Sequence, residues 1–181
     1  MARQLFNIIG NNWIEASAPC RIDCGGVWDI KGLALLGESI QPITVTLALD
    51  MRVKVRITPL ESSVVRIRCN NVQEQEFELK DVAFNKTFGM FFAILSHFDV
   101  EGVEVNIESI FPPQSGLGGS GAAAVAMIAA LSKAVDNGKH RQSSGAQIAI
   151  LAHNIEDGLR FTYTGLQDQL AAVFGGVHKW T

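Results

Sequence analysis

The chain has 181 residues, of which 48% are apolar and 18% charged, enough to bury one sizeable core and too apolar for a disordered segment. Its formal charge is -3, with Lys and Arg scattered along the strand-like segments, so broad binding to nucleic acid is disfavoured. The opening "MARQLFNIIGNNW" does not read as a signal peptide and no unbroken apolar run of about 20 residues follows, so the cytoplasm is the expected location.

The first half reads mainly as strands. "WIEASAPCRIDCGG" alternates imperfectly, "ITVTLAL" and "RVKVRITP" are rich in β-branched residues, and "VVRIRC", "EFEL" and "GVEVNIES" follow with a period of two. Charges on alternate positions of "RVKVRI" and "VVRIRC" predict antiparallel pairs with one wet and one buried face. Between them, the apolar density of "NKTFGMFFAILSHF" predicts a helix over 85–98, despite Gly89. The second half turns helical. "GAAAVAMIAALSKAV" predicts a buried helix of small residues ending near "DNGK", and "SSGAQIAILAHNIED" an amphipathic one capped by Ser143 or Ser144. A shorter helix is expected through "LQDQLAAVF", and the absence of repeats or low-complexity linkers predicts one α+β domain.

Three stretches carry candidate chemistry. "PPQSGLGGSGAAAV", 112–125, runs from a proline pair through glycines into a helix, a shape that lets backbone N–H groups and a helix N-terminus face an anion. It is not a Walker loop, because the nearest downstream lysine is Lys133. "APCRIDCGGVWDI", 18–30, sets Arg21, Asp23 and Asp29 around a Gly25-Gly26 turn, and "GLQDQLAAVFGG", 165–176, sets Asp168 between two glutamines, beyond Glu156 on the preceding helix. Taken singly, each has a plainer reading. The loop is a turn, Asp168 a helix cap, Glu156 an exposed residue beside Asp157, and Arg21–Asp23 a surface ion pair worth little. Cys20, Cys24 and Cys69 are odd in number and lack a nearby histidine, so they read as reduced thiols. His97, His140, His153 and His178 show no ligand spacing, and Trp28 suits either a sugar face or a core.

Together and in this order the three motifs resemble those of the GHMP small-molecule kinases, most of all the branch acting on fucose and heptose 7-phosphate. The resemblance implies the N-terminal, ATP-binding domain of that family over 1–181, an antiparallel-rich sheet with helices packed on one side. It also implies that the C-terminal half lies outside this chain and would be supplied in cis or in trans, or that the chain self-associates. The implied ATP site runs over Pro113, Ser115, Gly116, Leu117, Gly118, Gly119, Ser120 and Gly121, with Mg2+ held by Ser120 and Glu156. Asp168 would be the base, with Arg21 as its cationic partner, and the substrate side would use Asp23, Gly26, Asp29 and Asp168. The implied activity is phosphorylation of a sugar or sugar phosphate to a sugar 1-phosphate; a non-catalytic sugar- or nucleotide-binding module is the alternative. Two departures stand out. The family's serine pair reads Gly119-Ser120-Gly121, and "GGVWDI" is out of step with the family's G-G-W-T-D.

Overall fold

Period-two alternation and a run of β-branched residues build a long central strand, and five shorter ones join it in a single sheet. The computed structural model describes residues 3–26, 41–70, 73–78, 84, 87–111, 115–135, 143–159 and 165–181. In chain order these form β1 (Arg3–Gln4), α1 (Phe6–Ile9), β2 (Ile14–Gly26), β3 (Thr44–Pro59), β4 (Val64–Cys69), β5 (Gln73–Glu78), α2 (Gly89–Phe98), β6 (Val100–Glu101), β7 (Val103–Ser109), α3 (Gly119–Val135), α4 (Gly145–Gly158), α5 (Gln167–Phe174) and β8 (Val177–Trp180). The main sheet has the order β2-β3-β7-β4-β5, with β8 also paired to β3; β1 and β6 form a separate parallel pair.

Pairing in the main sheet is antiparallel except between β4 and β7, which run parallel. Parallel neighbours need a crossover, and here the chain leaves the β4–β5 hairpin, passes through α2 and returns along β7. Alternation sorts the faces. Val53, Val55, Ile57, Val65, Ile67, Val103, Val105 and Ile107 are buried toward the helices, while Arg52, Lys54 and Arg56 stand in solvent. Helices therefore cover one face only.

At the centre of that covered face lies α3, whose alanines let it approach β2 and β3 and be flanked by α2, α4 and α5. Met127, Ile128 and Leu131 are fully buried there, each worth roughly 1.5–3 kcal/mol of transfer free energy. The helix expected over 85–98 begins at Gly89, so the glycine opens the helix instead of interrupting it, and Asp99 ends it in a left-handed conformation at φ 53. Of the two candidate caps for α4, Ser144 is the one used: its hydroxyl accepts from Gln147 N–H at 3.3 Å, and its own N–H donates to Gln147 Oε1 at 2.8 Å.

The imperfect alternation of "WIEASAPCRIDCGG" has a structural cause. Register with β3 shifts between Pro19 and Arg21 and again between Asp23 and Gly25, so the strand bends twice where its chemistry-bearing residues lie. Val177–Trp180 returns the chain to β3 opposite Thr44–Leu47, in the same region where β3 pairs with Arg21–Gly26.

Candidate active site

The glycine loop is tied to β2 by its backbone. Arg21 N–H donates to Leu117 O at 2.9 Å, and Arg21 Nη1 donates to Gly116 O at 2.8 Å. Gly116 and Gly118 sit at φ 75 and φ 68, where side-chain-bearing residues are strained. A Cβ on Gly116 would meet nothing, so this glycine borders open space. One on Gly118 would lie 3.2 Å from Arg21 Cγ and 3.4 Å from Asp168 Oδ2, so Gly118 leaves room for the charged pair behind the loop instead of bordering the open space. Past the loop, α3 starts at Gly119 with no acidic residue in its first turn, and its first N–H groups form the positive end of a 17-residue helix.

Arg21 is the hub. It is 7% exposed, which sets aside the surface-pair reading. Its Nε and Nη2 reach Asp168 Oδ1 at 2.8 and 2.7 Å, and its Nη1 lies 3.4 Å from Asp23 Oδ2. One guanidinium thus joins the bend of β2, the glycine loop and the first turn of α5. Asp168 is not a helix cap either; the N-cap position of α5 is Leu166 and carries no side-chain cap bond. Asp23 Oδ1 is buried without a hydrogen-bond partner among the described residues. Burial pushes the Asp23 carboxyl above its ordinary value, Arg21 opposes that shift, and the charge of Asp168 adds to it.

Behind this pair stands Glu156, buried on α4 and not exposed as the plainer reading had it. The Ser120 hydroxyl donates to its Oε1 at 3.5 Å and Gln169 Nε2 donates to its Oε2 at 2.6 Å. Burial raises the Glu156 carboxyl first and the nearby Asp168 charge second, while the bonds from Ser120 and Gln169 pull it back. Helices α3, α4 and α5 therefore each contribute one member of a polar cluster at the mouth of the loop.

The departures from the family pattern have local reasons. A Cβ at Gly119 would lie 2.8 Å from Phe111 Cε2, so the phenyl ring occupies the space a serine would need. Gly121 faces α5, where a Cβ would come within 3.2 Å of Asp168 Cβ. Pro113, Trp28, Asp29 and His140 lie outside the described residues, and of Gly26 only the strand pairing with Thr44 is described. Cys20 is buried, its thiol pushed up to about 11 by burial, while Cys24 is exposed. His97 meets Phe98 edge-on and His178 stacks on Trp180. Gln169, absent from the site read in the sequence except as a motif letter, is fully buried against Glu156. Its signal was present: a long polar side chain in a short helix between alanines and Asp168.

Comparison with known proteins gives a family and a fold. The family model described as GHMP kinases N terminal domain matches residues 84–176. Among curated proteins no sequence matches the chain. A protein of Campylobacter jejuni assigned as a sugar kinase is similar in structure, with TM-score 0.74 and 23% identity over 93% of this chain and 52% of that one. The mevalonate kinase of Methanococcus jannaschii gives 0.71 and 16% over 93% and 53%. A D-glycero-D-manno-heptose 1-phosphate kinase of Bacteroides thetaiotaomicron gives 0.70 and 18% over 92% and 55%. The chain thus spans about half the length of these structures. No helix among the described residues is long and apolar enough to cross a membrane.

Proposed function

Because the chain belongs to the GHMP kinase family, we propose that it supplies the nucleotide-loop half of an ATP- and Mg2+-dependent kinase acting on a sugar hydroxyl, with a sugar 1-phosphate as product. One observation carries this reading: Arg21–Asp168 on one side and Ser120–Glu156 on the other converge on the N-terminus of α3. Backbone N–H groups from Gly116 to Gly121 would receive the phosphates, favoured by the positive helix end and by the open space beside Gly116. The donor set fits Mg2+, since a hydroxyl and a carboxylate are hard oxygen ligands that leave positions for phosphate oxygens and water. When bound, Mg2+ would neutralise charge on the phosphate oxygens.

The side chains divide the remaining work. Both Arg21 bonds to Asp168 fall on Oδ1, which leaves Oδ2 to take the proton of the attacking hydroxyl. Arg21 fixes that carboxylate's orientation and adds positive charge beside the transferring group. Asp23, whose carboxylate is held by Arg21, is assigned with Asp29 and Gly26 to the substrate side, where carboxylates suit the hydroxyls of a polyol. Sugar-dependent ADP release, measured over fucose, galactose and heptose phosphates with a C-terminal GHMP half supplied, tests the assignment. Turnover with at least one sugar is expected. ADP release that no sugar stimulates would contradict the sugar assignment.

A further inference from the structure

Assigning Ser120 and Glu156 to Mg2+ leaves a fully buried polar side chain to be explained. Gln169 is 0% exposed, its Nε2 donates to Glu156 Oε2 at 2.6 Å, and its Oε1 has no hydrogen-bond partner among the described residues. Leaving one end of a buried amide unpaired costs stability, so packing alone is a poor reason for a glutamine here. A methionine would fill a similar volume without that cost. The amide orientation is fixed by its partner, because the opposite rotamer would set carbonyl oxygen against carboxylate oxygen.

We infer that Gln169 is a positioning residue for the carboxylate that holds the metal: its amide pins Glu156 Oε2, so that Oε1 is turned to the Ser120 hydroxyl at the start of α3. This rests on the Mg2+ reading given above. The close approach it needs is visible at Gly121, where a Cβ would lie 3.7 Å from Gln169 Nε2 and 3.2 Å from Asp168 Cβ. Gln169 directly follows Asp168 on α5, so one turn of one helix sets both the candidate base and, through the amide, the candidate metal ligand. Any shift of α5 moves the two together.

The test is direct metal binding, without turnover. Mn2+ is titrated into the chain with its C-terminal half supplied and ADP present, and free Mn2+ is followed by electron paramagnetic resonance against a protein-free Mn2+–ADP blank, for the parent, Gln169→Met and Gln169→Asn. Binding of ADP alone, with metal chelated, is measured in parallel, and circular dichroism reports the fold. The expected result is a loss of Mn2+ affinity of about 10-fold or more in Gln169→Met, the range for removing a group that orients a metal ligand. Gln169→Asn, which keeps the amide but withdraws it by one methylene, should fall between the two and serves alone if the methionine variant does not fold. ADP binding without metal should be unchanged in both. Variants that bind Mn2+ like the parent, or that lose metal-free ADP binding equally, would overturn the role of Gln169 alone. A parent chain that binds no Mn2+ in the presence of ADP would overturn the metal reading itself, and this inference with it.

Discussion

Two charged clusters on this protein use similar residue types and differ in nearly everything else. On the outer face of the sheet, Arg66 and Arg68 bridge Glu74, Glu76 and Glu104 across β4, β5 and β7, all of them partly or largely in solvent. At the mouth of the glycine loop, Arg21 joins Asp23 and Asp168 with Glu156 close behind, and Arg21 and Glu156 are almost wholly buried. The ladder is screened by water, its arginines are matched by carboxylates from neighbouring strands, and it holds the wet face in register. The loop cluster sets two carboxylates on one guanidinium with a third, Glu156, behind them, and leaves Asp23 Oδ1 and Gln169 Oε1 without donors among the described residues. Buried charge and unpaired polar atoms are costly for folding, so the second cluster fits the ligand site proposed above, while the first serves the sheet.

Removing the hub should separate the two most sharply. Arg21→Met leaves Asp23 and Asp168 without their shared cation and should destabilise the fold by about 3–5 kcal/mol in denaturant unfolding, the range for breaking a buried pair. Adding Asp168→Asn to that variant should recover part of the loss; full additivity of the two changes would show that the pair is not coupled. Asp168→Asn alone, with the C-terminal half supplied, should lower turnover by about 10²-fold or more while ATP affinity changes little. Near-normal turnover would reduce Asp168 to a positioning group.

A pH series gives a smaller effect with a definite sign. The Asp23 carboxyl titrates above its ordinary 3.8 in the folded chain, so its contribution to stability is complete below the unfolded value and is lost as pH rises through the folded one. Asp23→Asn removes that loss. The Tm difference between this variant and the parent should therefore shift in favour of the variant as pH is raised from below 3.8 to neutrality. A constant difference would show that Asp23 is not held out of water. On the ladder, Arg66→Ala should cost only about 1 kcal/mol or less and should shrink further in high salt. A larger, salt-insensitive loss would erase the contrast between the clusters.

Most of the architecture was legible because it rests on local patterning. Alternation in "RVKVRI" and "VVRIRC" identified the two-faced strands, the alanine run identified the buried α3, and Ser144 was one of two readable caps. The parallel pairing of β4 with β7 was not legible, since it depends on where α2 returns the chain and not on either strand's own residues. The order of the motifs brought out Arg21, Asp23, Ser120, Glu156 and Asp168, and the fold gathers them around the loop. Other parts of the site were hidden because they depend on tertiary approach. Arg21 is buried against the Gly116 and Leu117 carbonyls of a loop distant in sequence, Gly119 yields its side-chain space to the Phe111 ring, and Gln169 reaches Glu156 on another helix.

The central claim is that the loop before α3 receives the phosphates of ATP with the Arg21–Asp168 pair at its back. Titration calorimetry of MgATP, with the C-terminal half supplied, compares the parent with Gly118→Val. A valine there must adopt φ near 68 and press on Arg21 and Asp168, so the parent should bind and the variant should lose binding while its circular dichroism stays native. Equal MgATP affinity in a natively folded Gly118→Val variant would contradict the account.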